Sequence, residues 1–296
     1  MNSPGNSDCP ACGSFHWVSR GEKNGFSMLS CKGCGTLYTS NLPDEEHAHN
    51  YDDYYTIKNL SAPDFVHERL DQVVTGFNPY RKTNRLLDVG CGAGSMLQAA
   101  VRSQWMAEGL EISPPAVAHL TELGLNVRCQ FLEEAGYPDN HFDVVTACGV
   151  LEHVARAESF TAEIARILRP GGLLYATTPN GAGGSARLLG LKWSIVAPPE
   201  HLHLFSVKGM KMFLTRCRLE PLRVFSEGTN PYEIIHVWRN YGKGDETNGS
   251  FDRVTAAYAL NESFTRSRSR RLAKDLVNKL LSISRLGDEL KIYAKK

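Results

Sequence analysis

The chain has 296 residues, enough for one full-size α/β domain and a small accessory module. A hydrophobic share of 42% excludes wholesale disorder. Lys and Arg number 33 against 32 Asp and Glu, and a net charge of +1 argues against a strongly basic nucleic-acid binder.

Residues 1–8 have neither a basic flank nor an apolar run, so the amino terminus does not read as a signal peptide. The most apolar stretch, residues 188–199, falls short of the roughly 18 residues of a membrane span and is broken by Lys192. The expectation is a cytoplasmic protein without a transmembrane segment. In that setting its eight cysteines are metal ligands, small buried hydrophobes or reactive thiols rather than disulfides.

Residues 1–45 read as a zinc ribbon. Cys9-Pro-Ala-Cys12 and Cys31-Lys-Gly-Cys34 are two C-x2-C pairs separated by 18 residues. Gly13 and Gly35 permit the tight backbone of a metal knuckle. Residues 15–20 and 26–30 read as strands, with residues 21–25 as the turn. A module this small buries little apolar surface, so bound Zn2+ would supply much of its folding energy. The competing reading is chance pairing or a redox dithiol, and two pairs at this spacing favour the metal. Four thiolates close a tetrahedral site, so the ion would be structural. His16 reads as an ordinary strand residue. The module holds three basic and four acidic side chains, no footprint for a phosphate backbone.

Residues 46–80 are expected to be a linker and an N-terminal helix, over about 63–74, of a domain spanning 81–296. Arg85-Leu-Leu-Asp-Val89 is a short apolar strand that runs into Gly90-Cys-Gly-Ala-Gly94 and then a helix over about 95–103. A strand, a glycine turn and a helix open the ligand crevice of a doubly wound sheet. The glycines allow close backbone approach, and the helix start presents free N–H groups. The spacing is G-x-G-x-G, not the G-x-G-x-x-G of nicotinamide enzymes. The next strand, about 106–110, delivers Glu111 to its tip, where a carboxylate can accept ribose hydroxyls. Helices over 114–123 and 158–168 then alternate with strands at 126–129, 143–146 and 173–177. This alternation predicts a mostly parallel sheet with helices on both faces.

Leu87-Asp-Val-Gly-Cys-Gly-Ala-Gly94, Glu111, His141-Phe-Asp-Val-Val145, Val150-Leu-Glu-His153 and Leu168-Arg-Pro-Gly-Gly172 resemble, in order and spacing, the motifs of class I S-adenosylmethionine-dependent methyltransferases. The resemblance covers about residues 81–230. It implies a Rossmann-like sheet of seven strands, the last antiparallel, for which residues 287–294 are suited. It also implies S-adenosyl-L-methionine as cofactor. Gly90, Gly92 and Gly94 would wrap its methionine part, with Asp88 orienting the loop. Glu111, with Ile112 beside it, would hold the ribose. Phe131 and Leu132 match the adenine-flanking positions, Phe131 standing where the family often has Asp. Cys148 would line the methionine end. Cys91, Cys129 and Cys148 read as small buried or cleft-lining hydrophobes, and Glu152-His153 as a packing and helix-entry feature.

The segment after the fifth of these strands, about 178–203, is glycine-rich and then aromatic, as expected of a substrate lid. It carries Glu200-His201, an acid beside an imidazole that it can tune as a base. With the ribbon and Tyr51-Asp-Asp-Tyr-Tyr55, this segment resembles a bacterial subgroup that includes nucleotide-sugar C-methyltransferases. There a Glu-His pair follows the fifth strand and the His acts as base. A tyrosine also serves near the cofactor, a position that Tyr51, Tyr54 or Tyr55 can fill. On this basis Tyr51 is assigned to the cofactor, and Glu200, His201 and Tyr55 to catalysis. Those enzymes carry a further C-terminal domain, whereas this chain ends near its seventh strand. The alternative for His201 and His203 is to cap or pack the helix starting near Ser206.

A helical insertion is expected over about 238–285, with helical period from 254 to 283. From residue 239 to the end there are 13 basic and 7 acidic side chains, including Arg266-Ser-Arg-Ser-Arg-Arg271. The patch is either a solvated helix face or a surface for a phosphate-bearing substrate, a membrane or RNA.

The preferred reading is a methyltransferase for a small-molecule or sugar-linked acceptor, with the oligomeric state open and a homodimer among the options. The main alternative is an RNA methyltransferase gripping RNA with the ribbon and the basic helix. The near-neutral ribbon weighs against it. A third reading is a ribbon-mediated interaction protein with a vestigial cofactor fold, which the intact glycine loop and Glu111 disfavour.

Overall fold

The computed structural model describes residues 8–40, 42, 63–240 and 268–296. Tyr51, Tyr54 and Tyr55 lie outside the described residues, as do residues 241–267 of the expected insertion. The chain forms two compact units. One takes in residues 1–42, 179–210 and 225–290; the other takes in 43–178, 211–224 and 291–296.

The second unit is built on parallel strands β4 (Arg85–Val89), β5 (Met106–Glu111), β6 (Val127–Cys129), β7 (Phe142–Cys148) and β8 (Leu168–Pro179). Helices α1 (Asp64–Thr75), α2 (Ser95–Arg102), α3 (Pro114–Glu122) and α4 (Ala157–Ile167) flank them. With β10 (Glu220–Glu227) and β11 (Glu289–Lys295), the strands make one sheet in the order β10-β11-β8-β7-β4-β5-β6. Strands β4–β5, β5–β6, β4–β7 and β7–β8 pair in parallel. Strand β11 runs the other way. Its start meets the end of β8 (Asn180 N to Asp288 O, 2.8 Å), and Lys296, just past its end, meets the start of β8 (Gly171 N to Lys296 O, 2.9 Å). The expected fold, a seven-stranded mixed sheet with an antiparallel last strand, is therefore present.

Strands such as Leu86-Leu87 and Val144-Val145 are buried on both faces, which is why they read as continuous apolar runs. Leu86, Leu97, Trp105, Leu120, Val144 and Tyr175 share one core. Full burial of each such side chain contributes about 1.5–3 kcal/mol. Asp143, at the start of β7, is fully buried and ties the segment entering β4. Its Oδ2 accepts from the amides of Lys82, Thr83 and Asn84 at 2.7, 2.7 and 2.8 Å, while Oδ1 accepts from Arg169 Nε. The chain leaves β4 toward β5 on one side, and β7 packs on the other. This reversal of strand order opens a crevice beyond the carboxyl ends of the strands.

The first unit carries an antiparallel sheet of β1 (Trp17–Lys23), β2 (Phe26–Cys31), β3 (Leu37–Thr39) and β9 (His203–Leu204), in the order β1-β2-β3-β9. The β1–β2 hairpin is tighter than expected. Strand β1 runs on to Lys23, leaving a two-residue turn at Asn24 (φ 53°) and Gly25 (φ 80°). Positive φ at both positions matches the twist of the flanking strands. Two strands were not foreseen: β3 has three residues and β9 has two, below the length at which alternation shows. Met28 and Leu37 share a core with Leu189, Trp193, Val196 and Leu204. The ribbon thus shares its apolar packing with the segment after β8, which begins with α5 (Gly184–Leu189) and is followed, past β9, by α6 (Val207–Arg216). Helix α7 (Pro231–Arg239) was also unforeseen; Asn230 caps it by accepting from Glu233 N at 3.4 Å, and Pro231 opens it. Helix α8 (Arg268–Ser284) corresponds to the later part of the expected helical insertion. No described helix is long and apolar enough to cross a membrane.

Candidate active site

At the end of β4 the chain turns through Gly90, Gly92 and Gly94, with φ of 64°, 53° and 75°. These are left-handed conformations that L side chains adopt rarely. At Gly90 a Cβ would also lie 2.6 Å from Val150 Cγ2, so both the conformation and the space demand glycine there. Gly94 is the N-cap of α2, so the turn ends at a helix start, whose first amides have no partner within the helix.

Asp88 precedes this turn and is almost wholly buried. Its Oδ1 accepts from Thr146 Oγ1 at 2.6 Å, and Oδ2 has no hydrogen-bond partner among the described residues. Burial pushes its carboxyl up to about 7. Glu111, at the tip of β5, is buried and bound by backbone amides. Oε2 accepts from Gly92 N at 2.8 Å, and Oε1 accepts from Ile112 N and Ser113 N at 2.8 and 3.0 Å. The glycine turn of β4 and the strand-tip acid of β5 are thereby locked together. Ser113 was not singled out in the sequence. It stands at the N-cap position of α3, is buried, and its Oγ has no partner among the described residues. Its signal is a hydroxyl two residues after a strand-tip acid and directly before Pro114.

Leu132 is buried and Phe131 is 48% exposed, both just after β6. Cys148 ends β7 half-buried. Cys91 is buried as expected, whereas Cys129 is exposed, because β6 is a short edge strand of the sheet. Glu152 is buried and accepts from Thr178 Oγ1 at 2.9 Å.

In the first unit Cys9, Cys12, Cys31 and Cys34 converge, their sulfurs within 4.8 Å of one another. Cys9 Sγ lies 3.5 Å from Cys34 Sγ, and Cys12 Sγ 3.6 Å from Cys31 Sγ. Zinc–sulfur bonds of about 2.3 Å in a tetrahedron put sulfurs roughly 3.8 Å apart, so the set has the size and donor chemistry for Zn2+. The amides of Gly13 and Gly35 close the two knuckles onto the carbonyls of Cys9 and Cys31. Hydrogen bonding between Cys9 and Cys34 holds the Cys9 thiol up and the Cys34 thiol down.

Glu200 is exposed and His201 half-buried, on the segment leading into β9. His201 Nδ1 lies 2.6 Å from the carbonyl oxygen of Ile195. A carbonyl only accepts, so Nδ1 carries the proton and Nε2 is the basic nitrogen. His203 is buried within β9. The turn of the β1–β2 hairpin holds the same segment further upstream. Lys23 Nζ donates to the carbonyls of Leu191 and Trp193 at 2.6 and 3.1 Å, and Asn24 Nδ2 donates to that of Pro198 at 2.8 Å. Nothing in the local sequence of Lys23 or Asn24 marks this role.

Residues 63–219 match the family described as a methyltransferase domain. The chain belongs to that family. Among curated relatives, it is 38% identical over 101 residues to a ubiquinone biosynthesis O-methyltransferase of Methylobacterium sp. (strain 4-46), covering 32% of this chain and 41% of the relative. To the protein of that name from Thiobacillus denitrificans it is 35% identical over 103 residues, covering 32% of this chain and 44% of the relative. The matches thus span under half the length of these relatives. Among solved structures, a SAM-dependent methyltransferase from Archaeoglobus fulgidus superposes with a TM-score of 0.53 at 19% identity, covering 83% of this chain and all of that one. That likeness is one of fold. The family's cofactor also suits the residues present. Two buried polar atoms, Asp88 Oδ2 and Ser113 Oγ, have no hydrogen-bond partner among the described residues, and they suit polar ligand groups such as an amino group and a ribose.

Proposed function

We propose that this protein transfers a methyl group from S-adenosyl-L-methionine to a small-molecule or sugar-linked acceptor. The observation that carries the reading is the junction of Gly92 and Glu111, which sets a close-approach backbone turn beside a fixed carboxylate at the switch point of the sheet. When bound, the cofactor supplies a methyl group already activated on a sulfonium. Gly90, Gly92 and Gly94 would seat its methionine part, with Asp88 and Cys148 nearby on β4 and β7. Glu111 and Ser113 would receive the ribose, and Phe131 and Leu132 would flank the adenine.

The chain's own contribution to chemistry is alignment and, for an acceptor that must lose a proton, a base. His201 fills that role in this reading, its tautomer set by the Ile195 carbonyl so that Nε2 takes the proton. Glu200 would stabilise the resulting imidazolium. By resemblance, Tyr51 is assigned to the cofactor and Tyr55 to catalysis. The ribbon cysteines would hold one structural Zn2+ that stabilises the first unit. The relatives' names favour including phenolic rings among acceptors, and the resemblance in the lid favours nucleotide sugars.

The test is incubation of the full chain with methyl-labelled cofactor and a panel of nucleotide sugars, phenolic rings and RNA. Label on a small molecule supports the reading, and label on RNA alone replaces it. A His201→Ala variant should lose about 100-fold or more in kcat with an unchanged cofactor Kd. Unchanged kcat would remove the base assignment but leave methyl transfer standing.

A further inference from the structure

Helix α8 turns its polar side toward the protein. Lys274, Asn278 and Leu281 are half-buried, at spacings of four and three that place them on one face. Asn278 Oδ1 accepts from Gly228 N at 3.2 Å, and the Leu281 carbonyl accepts from Ser226 Oγ at 3.4 Å. The opposite face carries Leu272, Leu276, Leu280 and Ile283, exposed at 70, 60, 58 and 71%, with Val277 beside them at 49%. At 1.5 Å per residue this is an apolar stripe about 17 Å long. Scattered exposed leucines are ordinary, but a continuous stripe opposite a docked polar face implies an apolar partner.

Charge selects the partner. The sequence from 268 to 285 contains six Lys or Arg and one Asp, and Lys279 and Arg285 are exposed. A second copy meeting this face across a twofold axis would bring like charges together. A bilayer surface with anionic headgroups offers acyl chains to the stripe and phosphates to the cations. In the same unit, α7 exposes Tyr232 and Trp238, side chain types that settle at headgroup level.

We propose that α8 is an interfacial helix that docks this protein on anionic lipid bilayers, its 272–283 face lying at the boundary of headgroups and acyl chains. The docking lies outside the cofactor site and does not depend on which acceptor is methylated.

The full chain is sedimented with vesicles of phosphatidylcholine alone or mixed with phosphatidylglycerol, at low and high salt. Binding is expected only with phosphatidylglycerol, weakening as salt rises. A Leu276→Glu/Leu280→Glu variant should partition at least about tenfold more weakly, with its thermal midpoint confirming the fold. Amide exchange of α8 in the unaltered protein should slow when the mixed vesicles are added, a readout that needs no variant. Failure of the unaltered protein to bind the mixed vesicles, or equal binding by the variant, overturns the proposal. A dimer seen by light scattering that the variant abolishes, without vesicle binding, assigns the stripe to a second copy instead.

Discussion

Tyr38 and His203 face each other across the antiparallel pair β3–β9. The strand that completes the ribbon sheet therefore begins two residues after His201. The attachment is dense. Thr39 N donates to the Leu202 carbonyl at 3.0 Å, Ser206 Oγ to that of Cys34 at 2.5 Å, and Lys208 Nζ to that of Gly33 at 2.7 Å. The knuckle bearing Cys31 and Cys34 is thus fastened to the chain just beyond Glu200-His201. A metal there would hold more than the hairpin.

Metal removal should accordingly be felt in β9. The protein as isolated should contain about one zinc per chain by atomic emission, since four thiolates fill one tetrahedral site. Chelation, or Cys31→Ser, should speed amide exchange over residues 202–205 by about tenfold or more while β4 and β5 stay protected. Equal exchange with and without metal would separate the ribbon from the segment bearing His201.

Glu111 organises the turn through three backbone amides. Replacing it by Ala leaves the amides of Gly92, Ile112 and Ser113 without their shared acceptor. An unsatisfied buried donor costs about 1–3 kcal/mol. Calorimetric affinity for S-adenosyl-L-methionine should fall by at least about tenfold, and Glu111→Gln, which keeps an acceptor oxygen, should retain part of it.

A Gly90→Ala substitution meets two penalties, the clash with Val150 Cγ2 at 2.6 Å and a φ of 64°. The conformational part alone is of the order of 1 kcal/mol or more. Cofactor binding should be lost or strongly weakened in the single variant. Adding Val150→Ala should restore part of it, because the clash is relieved and the φ is not. No recovery at all would mean that the clash contributes little.

Asp143 sets an acid limit on stability. Burial alone would raise its carboxyl, but Arg169 and the amides of Lys82, Thr83 and Asn84 outweigh burial and hold it below the usual carboxylate range. A lowered carboxyl contributes stability that is fully present above its unfolded value near 4, and this is lost as pH falls through the lower folded value. Asp143→Asn should cost about 3–5 kcal/mol in urea unfolding at neutral pH, because Arg169 is left without its buried partner. The gap between the two proteins should narrow below about pH 4. Asp88, raised to about 7 by burial, acts in the opposite sense in both proteins and cancels in the comparison.

The positions of the candidate site were legible because they are local. Two C-x2-C pairs form knuckles wherever the hairpin goes, and Gly90 to Gly94 with Glu111 follow from which residues end a strand. Asp143, in the motif after β6, was read as a strand residue. Its clamp depends on Arg169, 26 residues away, which no local pattern pairs with it. Helix α7 was missed although Asn230 and Pro231 are helix-start signals, because a nine-residue helix holds few turns of period to read.

By itself, then, the sequence determined the alternation of strands and helices, the cysteine pairs, the glycine turn and the strand-tip acid, all set by neighbours within a few residues. Tertiary structure alone decided that β9 closes the ribbon sheet, that Lys23 and Asn24 grip the segment bearing His201, and which face of α8 packs on the protein. The physical reason is the same in each case. A period of 3.6 shows that a helix has two faces but not which one packs, and a two-residue strand has no pattern until a partner 165 residues away supplies its hydrogen bonds.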